Sequence, residues 1–526
     1  MKTVGIIELI ADKAIQPWER IDYWIVKKQY VAITPQAIAV WCRQMGHQVH
    51  YATYHGVGDP KAKLPDNLDV VFISAHTNVS ALAYALSRAY QLDGTRTVIG
   101  GPHAKCFPQD CLRYFDTVVL ECDKALIAAV IEDQFDPGSV ISSARSYEEI
   151  PSLEERLPEI KSSSFINGKP YPGTIIALLT SVGCPYTCNF CVDWNNRYRL
   201  LHSDRLAEDL LYASRNFPGV TLTFHDPNFG VRFDETLSVF EQLPADQRNP
   251  YIIESSLKLL NRDRLKRLQD TNCFAAMPGI ESWKEYSNKA GVGNAVGHEK
   301  LAQVVDHVCT LHEYIPYLQV NFIQGLDSDI GDEPFQLTKE FVRRTPFAWP
   351  YLNIPIAFGG TPLFDTFLEE GRILRSMPFT FYTMPYLTLR LKNYDPISYF
   401  EKMIDLHELV TSREMLKERL RSNTSRSVKI AHFYRTYTAR RRLAVFRETL
   451  ARLKSDPGYL AFHTGKTEQL PSVYVDLYKR KLGKYAELMP IEESAPVLSS
   501  KQVTPIIVGL QALSAQQRVK ESVVAP

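Results

Sequence analysis

A rhythm constrains this chain of 526 residues more than any other feature. Short apolar runs of strand length alternate with helical patterns, first over residues 1–135 and again over 174–375. Such alternation builds parallel sheets, because each strand must return to the same edge through a crossover helix. In the first series Thr3–Ile10, Val49–Thr53, Leu68–Ser74, Thr97–Ile99 and Thr117–Leu120 read as strands. Pro35–Gly46, Val79–Leu92 and Lys124–Gln134 read as helices. The expected fold is a doubly wound, flavodoxin-like parallel sheet, with ligands beyond the carboxyl ends of its strands. In the second series the strands are Thr174–Ser181, Thr221–Phe224, Tyr251–Glu254, Phe274–Glu281, Leu318–Gln324 and Tyr351–Ala357. Helical stretches such as Ser203–Arg215, Arg262–Asp270 and Lys300–Leu311 separate them. Six β/α units imply an open, partial (β/α)6 barrel with its chemistry at the carboxyl ends of the strands.

The rest of the chain divides around these two series. Residues 136–173, rich in Pro, Ser, Gly and charge, read as a linker. From 376 to 495 the strand signal fades, and Ser398–Val410, Arg413–Ser422, Val428–Leu453 and Val473–Leu488 read as a helical C-terminal domain. Residues 496–526 are expected to form a loose tail. The chain is long enough for roughly two to four domains, and 45% of it is apolar, enough to fill their cores. A net charge of +1 gives no strong nucleic-acid signal. No apolar run approaches membrane-spanning length, and Met1–Gly5 leads into a β-like run without the features of a signal peptide. Nine scattered cysteines, an odd number, suit free thiols in a cytoplasmic protein better than a disulfide framework.

Three of those cysteines fall together in Cys184-Pro185-Tyr186-Thr187-Cys188-Asn189-Phe190-Cys191, just after an expected strand. Clustered thiolates suit zinc or iron–sulfur clusters. Structural zinc takes four ligands, usually as two pairs, and no second pair is present. Three thiolates on one loop can hold three corners of a 4Fe–4S cube, leaving the fourth iron open. Three reduced, buried thiols are the plainer alternative.

The CxxxCxxC spacing with an aromatic before the last cysteine resembles the radical S-adenosylmethionine (SAM) superfamily over roughly 170–370. The resemblance implies a 4Fe–4S cluster on Cys184, Cys188 and Cys191, with the open iron binding the amino and carboxylate groups of SAM. One-electron cleavage of SAM would give a 5′-deoxyadenosyl radical. It also implies that Phe190 helps to hold the adenine. Phe224-His225-Asp226-Pro227-Asn228-Phe229-Gly230 ends the second barrel strand. By likeness Asp226 would meet the methionine ammonium, with Asn228 beside it, although Asp-Pro-Asn also makes an ordinary turn. Pro278-Gly279-Ile280-Glu281-Ser282 would bring Glu281 or Ser282 to the ribose, and Asn321 matches in place on the fifth strand. Gly359-Gly360-Thr361-Pro362 is close to a motif of members with an N-terminal cobalamin domain, and reads equally as a plain turn.

The first domain resembles that cobalamin-binding module. The likeness rests on Gly46-His47-Gln48-Val49, Ser74-Ala75-His76, Ile99-Gly100-Gly101-Pro102-His103 and Phe115–Glu121. It implies cobalamin contacts from Ser74, His76, Gly100, Gly101, Pro102, His103 and Glu121. Gly100 and Gly101 lack a Cβ and would let a bulky cofactor tail approach the backbone. Two features depart from the pattern. The DxHxxG motif is missing, since Glu8–Asp12 holds no histidine, and Leu120 and Cys122 replace glycines around Glu121. A flavodoxin-like domain with a tight turn is the bland alternative, and lone histidines are often structural.

Between residues 411 and 455 stand thirteen Lys or Arg and only three Glu, interleaved with Phe433, Tyr434, Tyr437 and Phe446. A solvated helix face is one reading; contact with an anionic substrate or a peripheral contact with an anionic membrane is the other. Gly291–Gly297 invites a dinucleotide reading but follows no strand, and its spacing is wrong. The function these features imply is methylation of an unactivated carbon of a small-molecule or lipid substrate by a cobalamin-dependent radical SAM methyltransferase. A reductant protein such as flavodoxin or ferredoxin would supply the electron. Radical ring closure or rearrangement without methyl transfer is the alternative reaction. An iron–sulfur or cobalamin sensor binding nucleic acid is the alternative without catalysis.

Overall fold

The structure, a computed structural model, describes residues 1–284, 288–501 and 503–509. The first strand, β1 (Thr3–Ala11), is buried along nearly its whole length, so both faces of its sheet must be covered. Around it stand β2 (Gln48–His55), β3 (Val70–Ala75), β4 (Arg96–Gly100), β5 (Thr117–Val119) and β6 (Ser139–Ser143). They lie in the order β2-β1-β3-β4-β5-β6, every neighbour parallel. The order reverses between β1 and β3, which makes the carboxyl ends of those strands the switch point.

Two stretches depart from expectation. Residues 136–173 are not simply a linker: they supply β6 and the helix Leu157–Ser164. Arg156, only 1% exposed, fixes this stretch by donating to Pro151 O, Gln36 Oε1 and Ala177 O. The segment 496–526 is not wholly loose either. Ile506–Val508 pairs in parallel with β6 as a seventh strand, its backbone occupying an otherwise open sheet edge. Residues 510–526 lie outside the described ones. The helix Pro17–Ile25, not foreseen, starts with Pro at its first turn, and Glu19 accepts the Ile15 and Gln16 amides at 2.6 and 2.8 Å.

The second sheet follows the expected six units. Its strands are β7 (Ile175–Leu178), β10 (Thr221–Phe224), β11 (Tyr251–Ile253), β12 (Cys273–Ala276), β14 (Tyr317–Ile323) and β15 (Trp349–Asn353), parallel and in that order. Two short strands, β8 (Ser181–Val182) and β9 (Arg199–Leu200), pair antiparallel beside it. The stretch 274–281, expected as one strand, breaks at Met277-Pro278, since proline offers no N–H to the ladder. Its second half, β13 (Gly279–Glu281), pairs β14 instead.

Helices Pro396–Thr411, Arg413–Ser422, Arg426–Ser455, Pro457–His463 and Ser472–Leu482 form the C-terminal region. The long helix buries Val428, His432, Thr436, Ala439, Leu443 and Phe446, a stripe at helical spacing. Each fully buried Leu or Phe of that stripe contributes about 1.5–3 kcal/mol. His432 lies against Tyr317 and Trp349, so the helix seals the end of the barrel sheet. Phe379 packs on His103 and Phe107, and Lys481 pairs with Asp12, fastening this region to the first sheet as well. Among the described residues no helix is long and apolar enough to cross a membrane.

Candidate active site at two facing sheet edges

The cysteine loop is closed at its base and pinned across its middle. Ser181 and Val182 of β8 pair with Leu200 and Arg199 of β9. Gly183 has φ +71°, and a Cβ there would lie 2.4 Å from Arg197 O, so the turn into Cys184 requires glycine. The Cys184 amide donates to Asn196 O at 3.1 Å, the Cys191 amide to Cys188 O at 3.0 Å, and the Trp194 amide to Cys191 O at 3.0 Å. Cys184 and Cys188 are buried and Cys191 is half-buried. Burial pushes the Cys188 thiol up to about 11, while the Lys289 ammonium draws it down; the Cys191 thiol is also raised by burial. Cys191 and Cys184 raise the Cys188 value further and Cys184 raises that of Cys191, so the three thiols are electrostatic neighbours. Among the described residues no three His, Cys, Asp or Glu side chains converge as a single metal ion requires. A cube takes each thiolate on a different iron, and three soft donors on one short loop fit that geometry.

Asp226 does not face an open cleft. It is 2% exposed, and its oxygens accept the Thr180 amide and the Thr180 and Ser181 hydroxyls. Burial raises its carboxyl, and those hydrogen bonds oppose the rise. Asp226 therefore braces the root of the cysteine loop, in place of the open strand-end position expected of it. Ser282 is likewise engaged, donating to Asp329 Oδ1 at 3.1 Å. Asn321 bonds Gln319 and the Met277 carbonyl from the partner strand. Asn228 differs: its Oδ1 accepts the Ser256 amide, but its buried Nδ2 has no partner, nor does the buried Ser256 hydroxyl. An orphaned donor inside a barrel mouth is a fitting contact for a polar ligand. Glu281 is buried with a left-handed backbone, φ +65°, and burial pushes its carboxyl up to about 7 against Lys289 and Lys300.

Three residues the sequence reading missed join this edge. His225 directly follows β10 and Glu254 directly follows β11; both remain accessible. Surrounding protein nevertheless holds the His225 imidazole down to about 4, by desolvation and then by the Arg156 and His76 charges. Desolvation raises the Glu254 carboxyl. Accessible side chains with desolvated charge line an enclosed cleft. Their strand-end positions were a usable signal. Lys289 carried none: only the fold sets its Nζ 5.8 Å from the centre of the Phe190 ring, among the thiols and Glu281.

The first sheet presents its own carboxyl edge. Ser74, His76, Gly100, Gly101 and Pro102 remain accessible or half-buried there. Gly101 has φ +93°, and a Cβ on it would meet Ser74 Oγ at 3.0 Å. Gly100 would meet nothing closer than 3.7 Å. The result is a shelf of backbone that fits a large flat or chain-like ligand. His103, expected at that shelf, is fully buried; its Nε2 meets Tyr84 Oη, which also donates to Asp110. Packing by Phe107 and Phe379 keeps it there, with its Nδ1 buried and unpartnered. Glu121 is held by Lys105, whose Nζ lies 3.1 Å from Glu121 and 2.9 Å from Asp193 of the cysteine loop.

The two edges meet. His76 is close enough to His225 to influence its charge. The Gly359–Pro362 turn fills the remaining joint: Trp194 donates to Gly360 O at 2.8 Å, and the Leu363 amide to Asn189 O at 3.0 Å. A Cβ on Gly359 would lie 2.1 Å from Cys106 O, so this glycine lets the barrel touch the first domain. The turn is thus a structural coupling between the cysteine loop and the N-terminal sheet.

No protein-family model matches the chain. Two curated methyltransferases of Chlorobaculum tepidum are similar in sequence. Bacteriochlorophyllide d C-8(2)-methyltransferase is 21% identical over 377 residues, covering 68% of this chain and 81% of its own. Bacteriochlorophyllide d C-12(1)-methyltransferase is 23% identical over 314 residues, covering 58% and 67%. Among solved structures, the radical S-adenosylmethionine methyltransferase TsrM of Kitasatospora setae, bound to tryptophan substrate and a SAM analogue, matches with a TM-score of 0.51. The match has 12% identity and covers 72% of this chain and 77% of TsrM. The chain thus shares its fold with a radical SAM methyltransferase. The relatives to which it is similar are methyltransferases.

Proposed function

We propose that this protein is a cobalamin-dependent radical SAM methyltransferase acting on a small-molecule or lipid substrate. The observation that carries the reading is the closed loop of Cys184, Cys188 and Cys191 at the carboxyl edge of a six-strand parallel barrel. Its thiolates would hold three irons of a 4Fe–4S cube and leave the fourth for SAM. When bound, the cluster and SAM supply a 5′-deoxyadenosyl radical, and cobalamin supplies the methyl group.

The chain's own part is to bind, orient and exclude water. Phe190, with Lys289 over its ring, would cover the adenine, and Asn228 Nδ2 would donate to SAM. Glu281 would stand by the ribose. Lys289 would offset the negative charge of the thiolates. Ser74, Gly100 and Gly101 would seat cobalamin without a protein histidine beneath it, since His103 is locked inward. His225, neutral at physiological pH, could accept a proton in the cleft. The names of the two similar enzymes make a large apolar molecule the first substrate class to try.

The test is anaerobic reconstitution with a ferredoxin- or flavodoxin-type reductant. About four irons and four sulfides per chain and reductive cleavage of SAM are expected. Mass profiling of extracts incubated with SAM and methylcobalamin should find a product heavier by one methyl group. A product of unchanged mass would move the reading to ring closure or rearrangement. Failure to cleave SAM with an intact cluster would overturn it.

A further inference from the structure

Two amphipathic stripes far apart in sequence are brought together on one surface, and neither belongs to the cleft. On the helix Pro17–Ile25, Trp18, Ile21 and Ile25 follow one another at helical spacing. On the helix Arg426–Ser455, Ile430, Phe433 and Tyr437 do the same, opposite the stripe that this helix buries. Ile21, Ile430 and Phe433 are 64%, 65% and 60% exposed, and here such side chains are grouped on one surface. Arg441 joins the stripes: its guanidinium stacks 4.1 Å from the Trp18 ring centre and 4.5 Å from that of Tyr437. Arg435 and Tyr30 are charge neighbours across the same seam.

The charge that the long helix brings to this apolar surface has one sign. From Arg426 to Arg447 the long helix holds no Asp or Glu. Its ion pairs among the described residues, Arg447–Glu408, Arg452–Glu448 and Lys454–Glu401, all lie in its last third. Arg440 instead donates to the Thr411 carbonyl, and Arg442 stacks over Tyr351. On the shorter helix Glu19 is turned to the backbone of Ile15 and Gln16, and the half-buried Asp22 is offset by the exposed Arg20 in count. Exposed aliphatic and aromatic tips bordered by an excess of arginines are complementary to hydrocarbon beneath an anionic headgroup layer. A second copy of the chain would face its own positive charge across a two-fold contact. A nucleic acid would satisfy the arginines and leave Ile21, Ile25 and Ile430 without partners.

We propose that the Pro17–Ile25 and Arg426–Ser455 helices form a docking surface for an anionic lipid bilayer. The claim stands independently of the chemistry proposed for the cleft. The full chain should co-sediment with phosphatidylglycerol vesicles, weakly or not at all with phosphatidylcholine vesicles, and progressively less as salt rises. Ile21→Asp and Phe433→Asp should each lower partitioning by roughly tenfold. Leu92→Asp, at an exposed site on another helix, should not. Circular dichroism checks that every variant is folded, which exposed positions should permit. Absence of binding to phosphatidylglycerol vesicles would overturn the proposal. So would equal losses for Leu92→Asp, or preferential binding of duplex DNA that Phe433→Asp leaves unchanged.

Discussion

The carboxyl edge of the barrel and that of the N-terminal sheet face each other but are built from different material. The barrel edge is made of titratable side chains held away from water: His225, Glu254, Glu281, Lys289 and the three thiols. The N-terminal edge is made largely of backbone, with Ser74, Gly100 and Gly101 half-buried and His103 sealed inside. A low-dielectric setting shifts pKa values and strengthens charge interactions, which chemistry requires. A shelf without side chains offers area, which seating a large ligand requires. The first edge is suited to making and controlling a reactive species, the second to presenting a group to it.

The sharpest way to break this contrast is to remove one thiol. Cys188→Ala should abolish SAM cleavage and the cluster absorption, with iron falling to background. Retention of full cleavage would refute the assignment of the loop. On the opposite edge Gly101→Trp should prevent cobalamin binding, because its φ is positive and Ser74 Oγ already fills the nearest space. Cluster content and SAM cleavage should survive while methylated product disappears. Loss of both activities would mean that the two edges are one structural unit.

A smaller effect is expected from Asp226. Replacement by Ala would leave the buried Thr180 amide and the Thr180 and Ser181 hydroxyls without their acceptor, costing about 1–3 kcal/mol. Thermal unfolding should come earlier and iron should be lost more readily, with Asp226→Asn falling between. Weakened SAM affinity at unchanged stability and iron content would return Asp226 to the methionine ammonium.

These outcomes track what could be read from the sequence. The two β/α series and the cysteine loop were legible, because strand periodicity, helix spacing and a three-cysteine spacing are local. The orientation of Asp226 was not: a strand-end carboxylate looks the same whether it points outward or folds back on Thr180. His103 was misleading for a similar reason, since its partner Tyr84 lies on another element. Lys289 had no local signal, because its neighbours Phe190 and Glu281 come from separate turns. The strand Ile506–Val508 was lost in a stretch too short and too polar at its borders to stand out. The backbone pairing that makes it a strand depends on β6.

The most delicate prediction probes the contact between the edges. In the folded chain the His225 imidazole is held down to about 4 from an ordinary 6.5, chiefly by desolvation, then by Arg156 and His76. A depressed histidine contributes stability that is present above the unfolded value and lost as pH falls from 6.5 through about 4, where the unfolded chain takes up the proton first. Arg156 is fully buried and braced on three sides, so altering it would disturb the fold. His76 lies on the accessible end of the other sheet, so His76→Ala tests the contact alone. It removes a cation and admits water, and both changes favour protonated His225. The His225 midpoint, followed by NMR of ring protons, should therefore rise by a fraction of a unit, and the stability lost on acidification, still setting in near 6.5, should be slightly smaller and complete at a slightly higher pH. The three thiols should be untouched, so iron content should not change. An unshifted midpoint would mean that the two edges do not influence each other in solution, and that the cleft between them is wider and wetter than this structure has it.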